Sequence, residues 1–305
     1  MQRVYDVVII GGGPAGLTAG LYTSRARLDT LLLEKETPGG QVMNIDLVEN
    51  WPGSAEISGA ELGSNMMTQA MNSGVQLELA EVQGIKLETE HKIIRTTQGN
   101  YLARAIIIAG GARHKKLGVP GEEEFAGQGV FYCAICDGGH FANKVVAVVG
   151  GGDGGLTEGL YLTRIVSKVI VIEIMPELMT SKILQERALA NTKIEMRCGT
   201  RVEAILGDSE VREISIIDVK TGNKDKLRVD GVLVHVGLNP NTDYLNGIIS
   251  LDNSEHIQAN ERMETEIPGI FAAGDIRHNS LKQIVTATGD GATAALSAEK
   301  YLRKL

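Results

Sequence analysis

Two stretches of this chain are one unit written twice. Val7-Val8-Ile9-Ile10 runs into Gly11-Gly12-Gly13-Pro14-Ala15-Gly16, and Val145-Val146-Ala147-Val148-Val149 runs into Gly150-Gly151-Gly152-Asp153-Gly154-Gly155. Each is a short apolar strand that breaks into glycines, with an amphipathic helix expected next, over Leu17 to Ala26 and over Leu156 to Val166. A second strand then ends on an acid: Glu34 after Thr30 to Leu33, Glu173 after Lys168 to Ile172. The offset never varies, at 139 positions for the first glycines (150 − 11), the last glycines (155 − 16) and the acids (173 − 34).

The physical chemistry of such a unit is narrow. Its first glycine permits a tight turn, the second lets backbone approach a pyrophosphate, and the third lets helix pack on strand, while the helix N-terminus attracts the anion. The acid accepts hydrogen bonds from a ribose 2′-hydroxyl. One such pattern is weak, but two in register specify the βαβ dinucleotide fold. The expected fold class is α/β, with two Rossmann-like dinucleotide-binding domains, the second inserted into the first. Strand-rich runs lie between Gln76 and Ile108 and between Lys193 and Val236. Arg113-His114-Lys115-Lys116 and Gly237-Leu238-Asn239-Pro240 read as the crossings. The first domain is expected over 1–114 and 245–305, closing with Gly269 to Asp275 and a helix over Thr286 to Leu302. The second is expected over 115–244.

Composition agrees with a packed chain. There are 37 glycines and only 12 aromatic residues, yet 43% of residues are hydrophobic and 22% charged. That can fill a core and excludes disorder. A net charge of -8 argues against nucleic acid as the main partner. No apolar run approaches the ~20 residues that span a bilayer. The N-terminus enters its first strand within a few residues, without a leader pattern, so a cytoplasmic location is expected. Three cysteines are too few for a disulfide scaffold.

Two of those cysteines form Cys133-Ala134-Ile135-Cys136-Asp137. A C-x-x-C loop closes a disulfide with little distortion and commonly lowers one thiol's pKa. Half of a zinc site is the alternative, but His140 adds only a third ligand, so no metal is expected. Asp137 is either a solvated turn residue or the proton donor to an expelled thiolate, and its place beside the dithiol favours the donor. Cys198 is expected to be a small buried hydrophobe, and His140 a structural histidine.

Taken together, Gly11 to Gly16, Gly39-Gly40-Gln41, Glu49-Asn50-Trp51-Pro52-Gly53, Cys133 to Gly138, Gly150 to Asp153 and Gly269 to Asp275 resemble the low-molecular-weight thioredoxin reductases along nearly the whole chain. These are FAD-dependent pyridine nucleotide-disulfide oxidoreductases. The resemblance implies a homodimeric flavoprotein whose FAD domain is interrupted by a nicotinamide domain bearing the redox disulfide. By resemblance, Gly11, Gly13 and Gly16 cradle the FAD pyrophosphate and Glu34 binds the adenosine ribose. Gln41 and Asn50 approach the flavin, Asp275 the ribityl-phosphate side, and Lys282, Gln283 and Ile284 lie along the ring. Pro14, Ala15, Lys35, Gly40, Ala109, Gly110 and Gly274 complete the expected FAD shell. Gly150, Gly152, Asp153, Gly155 and Glu173 make the nicotinamide-nucleotide site. Cys136 is implied as the flavin-proximal sulfur, Cys133 as the thiol that attacks thioredoxin, and Asp137 as the acid. A domain rotation about the two crossings is also implied.

The chain departs from the family at one place that bears on function. Where the family carries His-Arg-Arg and a further Arg for the 2′-phosphate of NADPH, this chain has Glu173-Ile174-Met175-Pro176-Glu177-Leu178-Met179. Three donors stay open. NADH ranks first, because Glu173 suits a free 2′-hydroxyl. Ferredoxin without nicotinamide is the second. NADPH held elsewhere, through Arg164, Lys168 or Lys182, is the third. Gly154-Gly155 and Gly139-His140 also stand where the family has bulkier residues, a departure that points to a looser pyrophosphate turn or a different flavin entrance. The expected activity is reduction of thioredoxin disulfide through FAD and Cys133–Cys136, with a flavin dithiol oxidase or a non-enzymatic redox sensor as alternatives.

Overall fold

The computed structural model describes residues 3–245 and 247–305. In chain order, β1 (Val4–Ile10), α1 (Pro14–Arg25), β2 (Thr30–Glu34), α2 (Gly59–Asn72), β3 (Gln76–Leu79), β4 (Val82–Leu87), β5 (Lys92–Thr96), β6 (Gly99–Ile108) and β7 (Ala112–His114) come first. Then follow β8 (Val130–Phe131), α3 (Ala134–Asp137), β9 (Val145–Val149), α4 (Asp153–Leu162), β10 (Lys168–Ile172), α5 (Lys182–Ala190) and β11 (Ile194–Arg197). The chain ends with β12 (Thr200–Gly207), β13 (Val211–Asp218), β14 (Lys224–Arg228), β15 (Gly231–Val234), β16 (Leu238–Pro240), β17 (Ile270–Ala272) and α6 (Ile284–Leu302).

Two compact units result, one running to Arg113 and resuming at Asn239–Leu305, the other spanning His114–Leu238. The return into the first unit therefore comes at 239, ahead of the expected 245. The reason is local: Asn241 donates from its side chain to Gly110 O (2.8 Å), Arg113 pairs with Asp243 (2.8 Å), and Leu245 is fully buried in the first unit's core. β7 and β16, which carry the chain across, pair as a two-stranded sheet.

In the first unit the sheet runs β3-β2-β1-β6-β5-β4, with β17 also pairing on β6. Its parallel part is β3, β2, β1, β6 and β17, in register Ile10↔Leu33 and Ile10↔Ile108. Strands covered on both faces read as unbroken apolar runs, and Val7 to Ile10 and Ala105 to Ile108 do so. One face packs on α1 and α6 through Leu17, Ala19, Ala294 and Ala298, all at most 2% exposed. In the second unit the sheet β11-β10-β9-β15-β8 is wholly parallel, with Val149↔Ile172 and Val149↔Val234 in register. A separate antiparallel sheet β12-β13-β14 covers one of its faces through Val202, Ile205 and Ile214.

Both helices after the glycines begin earlier than expected, at Pro14 and Asp153, directly after Gly13 and Gly152. Proline suits the first helical position, where its missing N–H has no intrahelical partner to serve. The second helix also ends earlier, at Leu162, and α6 starts at Ile284. Among the described residues no helix is long and apolar enough to cross a membrane.

Candidate active site

In each unit the glycine turn sits where the strand order reverses, at the carboxyl end of β1 and of β9, the place where open α/β sheets bind ligands. The two turns match bond for bond. Gly11 and Gly150 have φ of 104° and 115°, which only glycine adopts without strain. A Cβ at either would stand 2.3 Å from Ala109 O or 2.1 Å from His235 O. Their N–H groups donate to Leu33 O and Ile172 O, each at 2.8 Å. Glu34 accepts from Gly12 N–H (2.7 Å) and Glu36 N–H (2.8 Å); Glu173 accepts from Gly151 N–H (2.7 Å) and Met175 N–H (2.9 Å). Each carboxylate oxygen thus holds one backbone donor and keeps capacity for a ribose hydroxyl. No side chain caps the helix N-terminus at Gly13 or Gly152, so its first N–H groups stay available to an anion.

The first unit gathers nearly all its expected cofactor residues around one turn. A Cβ on Gly40 would stand 3.0 Å from Gly13 Cα, and Gly39 N–H donates to Gly12 O (2.8 Å). Gly11 abuts Ala109 and Gly110, and Gly274, at φ 78°, lies against Ala15. Gln41 donates its side-chain amide to Ala112 O. Asn50 donates to the Gln283 side chain (3.1 Å), and Ile284 packs on the small core of Val42, Val48 and Leu62. Burial pushes the Asp275 carboxyl above its usual range, against the Ser280 hydroxyl that donates to it (3.3 Å). Lys282 is exposed with φ 53°. Lys35 lies at the margin, exposed and paired with Glu36 at 3.1 Å.

The second unit carries the disulfide. Cys133 and Cys136 are bonded to each other, with Cα atoms 5.4 Å apart, so neither thiol serves a metal in this state. Cys133 caps the single turn α3, and its sulfur accepts from Cys136 N–H at 3.1 Å. A backbone donor aimed at sulfur stabilises a thiolate once the bond is reduced. Asp137 closes the turn and is half-buried, while Cys136 and His140 are exposed.

A doubled dinucleotide turn with a disulfide one loop ahead of the second copy is the arrangement of a disulfide reductase. The pyridine nucleotide-disulphide oxidoreductase family matches residues 5–291. The thioredoxin reductase of Bacillus subtilis is 44% identical over 305 residues, covering 100% of this chain and 96% of that protein. This chain belongs to the thioredoxin reductase family. The crystal structure of Lactococcus lactis thioredoxin reductase superposes with a TM-score of 0.97 at 41% identity, covering 99% of this chain and 100% of that one. That of T. acidophilum thioredoxin reductase gives 0.95 at 35% identity, covering 98% and 99%. The glycine cradle, uncapped α1 and Glu34 of the first unit fit the FAD on which thioredoxin reductases depend.

Several sequence expectations move. Cys198 is half-buried rather than buried, on the rim of a cavity of about 550 Å³ lined by Glu177, Leu178, Met179, Lys182 and Leu189. Burial and the Glu173 charge push its thiol up. Asp153 is turned aside, accepting the Thr180 hydroxyl and Ser181 N–H (2.9 Å). Lys168 cannot reach a 2′-phosphate: it opens β10, at the opposite end from Glu173, and pairs with Glu195. Arg164 follows the C-terminal end of α4, likewise opposite to the glycine turn. Of the three cations considered for NADPH, only Lys182 lines the cavity.

Sequence reasoning missed a buried polar cluster under the disulfide. Glu158 of α4 accepts from Ala134 N–H at 2.9 Å and stands 3.8 Å from His235 Nε2. The His235 ring meets His114 edge-on at 5.1 Å, and His114 Nδ1 is buried without a hydrogen-bond partner among the described residues. The signal for Glu158 was present. It lies three residues after Gly155 and four before Leu162, an acid on the face that α4 buries.

Proposed function

We propose that this thioredoxin-disulfide reductase takes its electrons from NADH. The observation that carries the proposal is Glu173, whose carboxylate repeats the Glu34 arrangement at both oxygens. A carboxylate there accepts from a free ribose hydroxyl and repels a 2′-phosphate. Beyond it the rim is apolar, with Ile174 51%, Met175 47% and Met179 69% exposed where guanidinium groups would be needed.

FAD, when bound, supplies the two-electron carrier between nucleotide and disulfide. The chain's own residues handle the rest. Cys133, held by Cys136 N–H, is the thiol that attacks the thioredoxin disulfide, breaking its S–S bond and forming a mixed disulfide. Cys136 then attacks Cys133, reforming the internal disulfide and releasing reduced thioredoxin. Asp137, at the end of the same turn, protonates the departing thiolate.

Anaerobic stopped-flow reduction of the bound flavin by NADH, NADPH and reduced ferredoxin tests the donor. Faster reduction by NADH at equal concentration is expected. A faster reaction with NADPH would overturn the assignment, and reduction by ferredoxin alone would move the chain to the second reading.

A further inference from the structure

Glu158 is placed unusually for an acid. Its side chain is 19% exposed, and that of its neighbour His235 is 18% exposed. The chain makes room for this histidine. A Cβ at Gly154 would stand 2.2 Å from His235 Cε1 and 2.7 Å from Nε2, so any larger residue at that helical position evicts the ring. Glycine inside a helix costs about 1 kcal/mol relative to alanine. Seating His235 against Glu158 therefore has a price that the plain glycine turn does not require.

The surroundings decide the protonation states. Burial pushes Glu158 up to about 7, and the Ala134 N–H offsets part of that. Burial, with His114 beside it, pushes His235 down to about 4, so its ring is neutral near pH 7 and supplies no counter-charge. Burial also lowers His114. Other ionisable groups on α4 and on the elements around it include Asp153 and Tyr161 on α4, Asp137 on α3, Lys168 at the far end of β10, Tyr132 and the buried Glu122 that accepts its hydroxyl (2.8 Å), and Lys182, Glu186 and Arg187 on α5. Glu158 is thus a largely buried carboxyl, poised between its two forms and hydrogen-bonded to the residue next to Cys133.

We propose that Glu158 is a positioning and proton-loading residue for the Cys133–Cys136 couple, holding the disulfide turn through Ala134 N–H and binding one proton when the disulfide is reduced. The inference rests on that disulfide being the redox centre. Reduction breaks the S–S bond and places two electrons, drawn from the enzyme's donor, on the sulfurs. One proton goes to the Cys136 sulfur, and Cys133 stays a thiolate on the Cys136 N–H. That new negative charge raises the proton affinity of the nearby carboxyl, which takes the second proton from solvent. Reoxidation by the partner disulfide returns it.

The test equilibrates the holoenzyme with dithiothreitol buffers from about pH 7 to 8.5 and counts free Cys133 and Cys136 by alkylation and mass spectrometry. Dithiothreitol itself takes two protons per two electrons in this range. The wild-type exchange constant is expected to drift only about twofold in total, near pH 7 where oxidised Glu158 is already half protonated, and to level off above about pH 8, whereas Glu158→Gln, one proton short, should drift about tenfold per pH unit throughout. Equal slopes in the two proteins would overturn the proposal. A pair that never titrates in either protein would instead sink the redox-disulfide reading. A second measurement needs no variant. The infrared difference spectrum of reduced minus oxidised wild type should gain a protonated-carboxyl C=O band, and its absence would refute the proton loading.

Discussion

Glu173→Gln separates the charge of this residue from its shape. The carboxylate holds two backbone donors, Gly151 N–H and Met175 N–H, and glutamine keeps one acceptor oxygen for them. Any slackening of the turn weakens both nucleotides alike and cancels in their ratio. The charge does not cancel. A carboxylate about 5 Å from one phosphate charge repels it by about 1–3 kcal/mol at effective dielectrics of roughly 80 to 20. The rim is open, with Met175 and Ile174 about half exposed, so the lower part of that range applies. NADPH should therefore gain about ten- to thirtyfold.

NADH should lose. Exchanging a charged acceptor for a neutral one at the ribose hydroxyl costs about 1 kcal/mol, or roughly fivefold. Together the NADH-to-NADPH preference should fall by about fifty- to a hundred-and-fiftyfold. The assay is anaerobic flavin reduction in a rapid mixer, with the apparent dissociation constant taken from the concentration dependence for each nucleotide. If the ratio moves less than about threefold while both nucleotides still reduce the flavin, Glu173 does not meet the ribose and the donor argument fails.

Three further outcomes follow from the same geometry. Gly154→Ala should destabilise by about 1–3 kcal/mol, because its Cβ lands on the His235 ring; in a His235→Ala background the penalty should largely vanish, a coupling that a denaturant-based double-mutant cycle reads directly. Cys133→Ser should abolish multiple-turnover reduction of thioredoxin yet leave FAD content unchanged, since the glycine turn that fits FAD lies in the other unit; loss of flavin absorbance would count against that separation. Glu158 titrates at about 7 instead of 4.5, so the stability linked to its neutral form is fully present below pH 4.5 and is lost as pH rises through 7. Glu158→Gln should match wild type near pH 4.5 and exceed it near pH 8 by up to about 3 kcal/mol in urea unfolding; a constant difference across that range would refute the linkage.

What was legible in the sequence was what neighbouring residues decide among themselves. Strand, turn, helix and acid lie within about thirty positions in each copy of the unit, so their pattern survives in one dimension, and Glu34 and Glu173 fall into equivalent bonds. The crossing at Gly237 to Pro240 is local and legible, but the return into the first unit was placed six residues late, at 245, because the pull of Asn241 and Asp243 into that unit comes from Gly110 and Arg113, more than a hundred positions away. Gly154 shows the limit most clearly. As a departure from the family it suggests a looser pyrophosphate turn. In three dimensions the opposite holds, because the space is filled by the ring of His235, a residue 81 positions further on (235 − 154). The missing side chain on α4 has been replaced by one from the end of β15, and that exchange sets a neutral imidazole against Glu158 and ties the dinucleotide helix to the turn that carries Cys133.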